Sequence, residues 1–117
     1  MAARVTIYHN PRCSKSREAL ALLREHHIEP LVIEYLKTAP DEGEIRSLLK
    51  KLGVSGHAAI RSSETAYRAL GLSQDSDEDD VIAAMAANPI LLQRPIVVVG
   101  RKAVIGRPPE SILKLLQ

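Results

Sequence analysis

The stretch Asn10-Pro11-Arg12-Cys13-Ser14-Lys15-Ser16-Arg17 holds the only cysteine among 117 residues. A lone thiol cannot close an intramolecular disulfide or furnish a four-cysteine zinc site. It can serve as a nucleophile, because the thiolate is the reactive form and nearby positive charge favours it. Arg12, Lys15 and Arg17 supply such charge, and His9 stands four residues upstream. Ser16 follows three residues after the thiol, so a hydroxyl occupies the place where a two-cysteine motif carries its second sulfur. A redox cycle at Cys13 must then take its resolving thiol from another molecule. Arg61, Arg94 and Arg107 suit a multiply charged oxyanion, because guanidinium stays charged and presents its donors as a fork. The plain alternative for Cys13 is a small buried apolar residue. The polar neighbours on both sides argue against it.

These residues need elements to position them. "RVTIY" at 4–8 is short and β-branched and runs into Asn10-Pro11, which reads as a strand ending in a turn. From Ser14 to His27 the apolar positions Ala19, Leu20, Leu22 and Leu23 make a helical face. His26 and His27 close that helix, where partly charged imidazole suits the macrodipole. "PLVIEYL" at 30–36 reads as a second strand, completing a βαβ unit. Cys13 thereby falls at the start of the first helix, where unpaired N–H groups and the positive end of the macrodipole favour a thiolate.

Residues 38–87 change character. "TAPDEGEIRSLLKKLG" has acids in its first turn, Ile45, Leu48, Leu49 and Leu52 on one face, and Gly53 as a stop. "SDEDDVIAAMAANP" reads as a helix with a serine cap, its acids pairing with the macrodipole rather than holding a metal. "RPIVVVG" at 94–100 is an apolar strand, and "RKAVIG" at 101–106 its antiparallel partner. "PPESILKLLQ" closes the chain as a helix with Pro109 in its first turn. Charge follows the same division: residues 1–37 are net +2, 38–90 net −4 and 91–117 net +4. The expected architecture is a single α/β domain over 1–117, with βαβ, a helical insertion at about 38–90, then ββα. That is the order of the thioredoxin-like fold, built on a four-stranded mixed sheet. Such folds place a cis proline facing the active-site cysteine, and Pro95 is the candidate, which would deliver Arg94 to the thiol.

Net charge is +2, too small to argue for a nucleic-acid partner. No apolar run approaches a bilayer span, and "MAARVTIYHNPRC" lacks a signal-peptide core. With one cysteine, the expected location is the reducing cytoplasm, with no membrane partner and a monomeric chain.

"IYHNPRCSKSR", "RPIVVVGRKAVIGRPPE" and the Ile60-Arg61 pair resemble the glutathione/glutaredoxin-coupled arsenate reductase (ArsC) family, over essentially the whole chain. The resemblance implies that Cys13 attacks arsenate and that Arg61, Arg94 and Arg107 bind the oxyanion. It implies that His9 lowers the thiol pKa and that Ser16 helps activate it. It also implies glutathione as co-substrate, glutaredoxin as partner, and no bound cofactor or metal. Ser14-Lys15 stands where the best-known members have Gly-Thr, marking a subgroup with the NPRCSKSR motif. The Cys-x5-Arg loop of phosphatase-like arsenate reductases is absent, since Ala19 is six residues after Cys13.

Two rival readings keep the architecture and change the function. A glutathione-dependent thiol reductase acting on another substrate would keep Cys13 and turn the arginines to another anion. An Spx-like redox or transcription regulator would bind RNA polymerase, but its Cys-x-x-Cys switch cannot close with Ser16 in place.

Overall fold

A computed structural model describes residues 4–116. The chain divides into two compact units, Met1–Thr38 with Arg94–Gln117, and Ala39–Gln93. The first unit carries the sheet. Its elements are β1 (Val5–His9), α1 (Ser14–Glu25), β2 (Leu31–Glu34), β3 (Ile96–Val99), β4 (Lys102–Ile105) and a C-terminal 3-10 helix, Pro109–Leu116.

The strand order is β2-β1-β3-β4, with β2 parallel to β1, β3 antiparallel to β1, and β4 antiparallel to β3. β1 is central because its Ile7 and Tyr8 are buried, and Ile7 pairs with Val32 on one side and Val97 on the other. Ile7, Ala19, Leu23, Val97 and Ile112 form a core that joins the sheet to α1 and the C-terminal helix. Burying each large aliphatic of this kind contributes about 1.5–3 kcal/mol.

α1 runs until His26, and His27 takes a left-handed φ of 61°. The N–H of His27 reaches the Arg24 carbonyl and that of Ile28 the Leu23 carbonyl. This turns the chain toward β2 and satisfies helix-end carbonyls. The C-terminal segment is 3-10 rather than the expected α-helix. Pro108 and Pro109 lack donors, and the segment opens on an i+3 bond from the Ser111 N–H to the Pro108 carbonyl.

The second unit is helical: α2 (Glu42–Leu52), α3 (Gly56–Ala59), α4 (Thr65–Ala69), α5 (Glu78–Ala87) and a 3-10 turn at Pro89–Leu91. α2 starts at Asp41, whose carboxylate accepts the Glu44 N–H, and stops at left-handed Gly53. Its buried Ile45, Leu48 and Leu49 form the face that packs toward α5, which buries Val81, Ile82 and Met85. The acidic run at the start of α5 is structural. Glu78 accepts the Gly56 N–H at 2.7 Å, and Asp79 pairs with Arg46 at 2.8 Å. Asp77, not a serine, is the N-cap residue. Among the described residues no helix is long and apolar enough to cross a membrane.

Candidate active site

Sheet register sets the site. Glu34 pairs with His9, Tyr8 with Ile96, and Ile96 with Ile105. Four segments therefore leave the sheet along one edge: the Asn10–Cys13 turn after β1, Tyr35 after β2, Arg94-Pro95 before β3, and Gly106-Arg107 after β4. This is the carboxyl end of the two parallel strands, where open α/β sheets bind ligands.

Cys13 is the N-cap residue of α1 and is 8% exposed. Its N–H donates to the Asn10 carbonyl at 3.0 Å, which closes the turn, and its carbonyl accepts the first helical bond from Arg17. The Asn10 side-chain oxygen accepts the Arg12 N–H at 3.0 Å. Behind this turn lies a buried polar chain. The Asn10 N–H donates to Ser16 Oγ at 3.0 Å, and Ser16 Oγ lies 2.7 Å from His9 Nδ1. Burial pushes the His9 pKa down, against the opposing pull of Glu34. With neutral His9 accepting at Nδ1 from the Ser16 hydroxyl, the serine oxygen is left to accept from Asn10, and each group is used once.

Two expected arginines converge on the thiol. Arg107 Nη2 donates to Cys13 Sγ at 3.7 Å, while its Nε donates to the Arg94 carbonyl at 2.8 Å. The Arg94–Pro95 and Arg107–Pro108 peptides are both cis. Gly106 passes so close to Pro95 that a Cβ there would meet the proline ring at 2.9 Å. Burial pushes the Cys13 thiol up. The Ser16 N–H, the Arg94 side chain and the Lys15 N–H outweigh it, and the thiol ends below its ordinary value. Arg61 belongs to the helical unit, where its guanidinium pairs with Glu64 at 2.6 Å and its N–H donates to the Leu91 carbonyl.

The ArsC family profile matches residues 8–115 of this chain. The chain belongs to the ArsC family. It is 50% identical to the uncharacterized protein YfgD of Escherichia coli K12, across 99% of both chains. It is 45% identical to an arsenate reductase of Neisseria meningitidis serogroup A, across 96% of this chain and 97% of the relative. A solved structure of an arsenate reductase from Vibrio cholerae superposes with a TM-score of 0.93 at 46% identity, covering 97% of this chain and 98% of the other. The α/β sheet of this ArsC protein is thus the thioredoxin-like fold that its motif order implied.

Two residues at the site escaped the sequence reading. Asn10 is buried and ties the cysteine turn together through its side chain and its N–H. Tyr35 is fully buried beside the site, with a hydroxyl that makes no hydrogen bond. Asn10 had a signal, since Asn-Pro before a helix marks a turn whose side chain bonds locally. Tyr35 had none, because an aromatic at the end of a β-branched run looks like any core residue. Among the described residues no three histidine, cysteine or acidic side chains gather as metal ligands would.

Proposed function

We propose that this ArsC-family protein reduces arsenate to arsenite, with glutathione as the second thiol and glutaredoxin clearing the resulting disulfide. One observation carries the reading: the buried Cys13 sulfur sits at the start of α1 with Arg107 Nη2 3.7 Å away. Arg94 adds to it, with Nε and Nη1 buried and unpartnered. Positive groups around an activated thiol are what attack on an oxyanion requires. The relatives named arsenate reductase support arsenate as the substrate.

Arg94 and Arg107 offset the charge of the bound arsenate. The Cys13 thiolate forms a sulfur–arsenic bond, and one arsenate oxygen takes two protons and leaves as water. A glutathione thiolate then attacks the Cys13 sulfur. The sulfur–arsenic bond breaks, its electron pair stays on arsenic, and arsenite departs. Cys13 is left in a disulfide with glutathione. Glutaredoxin's thiolate attacks the glutathione sulfur and releases Cys13. The external thiol follows from composition, since the chain has no second cysteine to close on the first. His9 and Ser16 hold the turn that aims the sulfur.

The test is arsenate-dependent NADPH oxidation with glutathione, glutathione reductase and glutaredoxin. Wild type is expected to turn over and Cys13→Ser to lose all turnover. If Cys13→Ser kept the wild-type rate, the scheme would be wrong. A folded wild-type protein with a reactive thiol and no arsenate turnover would point to another substrate of a glutathione-dependent thiol reductase.

A further inference from the structure

Tyr35 follows β2 directly and has no exposed surface. Its hydroxyl is buried without a hydrogen-bond partner, and so are Nε and Nη1 of Arg94. Leaving a buried polar group unpaired is costly, and native structures rarely do so without a use for it. Here three such atoms occur on two residues that feel each other. Burial is the largest influence on the Tyr35 phenol; the Arg94 cation lowers its proton affinity, the Cys13 thiolate raises it, and the Arg94 and Asn10 side chains approach it as donors without completing a well-aligned hydrogen bond. The hydroxyl therefore lies in the field of both the nucleophile and its arginine. Burial drives the phenol up to about 12, so it keeps its proton throughout the working pH range and is available as a neutral donor.

We propose that the Tyr35 hydroxyl binds one oxygen of the tetrahedral oxyanion held over Cys13, alongside the unpartnered donors of Arg94. This rests on the oxyanion reading above and adds a residue to it. A packing role would account for the ring but not for the hydroxyl, which has given up water, lies near the Arg94 and Asn10 donors, and leaves its own proton without an acceptor. A role on the thiolate itself would show as a bond from the hydroxyl to Cys13 Sγ, and the hydroxyl makes none.

The experiment measures the rate at which iodoacetamide alkylates Cys13 as inorganic arsenate is raised, in wild type and in Tyr35→Phe. The variant keeps the ring and deletes one oxygen. The arsenate concentration giving half-protection is expected to rise about 10- to 100-fold, the span for one hydrogen bond to a charged group. The alkylation rate without arsenate, which reads the thiolate, is expected to stay unchanged. Equal half-protection in the two proteins would overturn the proposal. So would an arsenate-free rate that falls in step with protection, because the hydroxyl would then be acting on sulfur. A wild type that arsenate does not protect at all would bring down the oxyanion reading, and Tyr35 with it. If Tyr35→Phe does not fold, the buried hydroxyl proton of wild type gives the answer by NMR. A downfield move on adding arsenate supports the bond, and an unmoved resonance refutes it.

Discussion

Replacing Ser16 by alanine separates two ways in which a serine near a cysteine can matter. The Ser16 side chain is fully buried, and its hydroxyl serves the Asn10 N–H at 3.0 Å and His9 Nδ1 at 2.7 Å. Alanine removes both bonds and leaves both partners buried. Each orphaned group costs about 1–3 kcal/mol, so the variant is expected to lose roughly 2–6 kcal/mol. For a chain of this length that is a fall of roughly 8–24 °C in melting temperature. The thiol itself is expected to be spared. What Cys13 takes from residue 16 is the backbone N–H, and alanine has one. While the turn remains folded, the thiol should therefore stay below its ordinary pKa. The assays are thermal unfolding and thiolate absorbance against pH, both on the folded variant. An unchanged melting temperature together with a raised thiol pKa would refute the reasoning, because the hydroxyl would then be stabilising the sulfur rather than the turn.

Arg94→Gln is expected to raise the thiol pKa, since burial is the largest influence on Cys13 and pushes it up, and the substitution removes two of the opposing effects; the pH dependence of Cys13 alkylation measures this, and an unmoved profile would assign the activation to the helix N-terminus alone. Gly106→Ala should destabilise by about 1–3 kcal/mol, because the new Cβ meets Pro95 Cγ at 2.9 Å and Ile112 at 3.4 Å; a denaturant melt at wild-type midpoint would contradict it. Buried His9 gives the fold a defined acid sensitivity. Its pKa is lowered by burial, so between that value and the ordinary histidine value near 6.5 the unfolded chain binds a proton that the folded chain refuses. Its contribution is therefore flat above that window and is lost as pH falls through it; a His9→Gln variant whose stability still fell over the same window would remove His9 as the cause.

The strands and most helices were legible because their signals are local. "VTIYH" and "IVVV" are β-branched and run into proline or glycine, and α2 carries acids at its start and a Gly53 stop, although Asp41, read as part of the first turn, is its N-cap. The C-terminal segment misled because its apolar spacing fits α and 3-10 geometry alike over two turns, and only the paired prolines mark the tighter start. Cys13, Ser16 and His9 could be grouped from sequence because they lie within eight residues of one another. Arg94 and Arg107 could be grouped by residue type and by the family resemblance, but their contact comes from the β3–β4 hairpin, whose Ile96–Ile105 pairing sets the residue before β3 beside the residue after β4. The partner of each polar group was not legible. Nothing in "NPRCSKS" says that the Ser16 hydroxyl turns to His9 while its N–H turns to the sulfur.

That division has a physical consequence for how the site tolerates change. Most of what offsets burial at Cys13 comes from backbone N–H groups and from one arginine whose Nε and Nη1 have no hydrogen-bond partner. Backbone donors survive side-chain substitution, so thiolate formation should be robust to changes at Ser14 and Lys15. Lys15 is half-exposed and pairs with Glu18 at 3.6 Å, a geometry that contributes little at a surface. Differences at these two positions among ArsC proteins are then expected to act on what approaches the sulfur from solvent, the reductant above all, and not on the readiness of the sulfur itself. A Ser14→Gly, Lys15→Thr double variant separates the two. An altered Michaelis constant for glutathione with an unaltered thiol pKa fits this account, whereas a displaced thiol pKa would mean that the Lys15 charge reaches the sulfur after all.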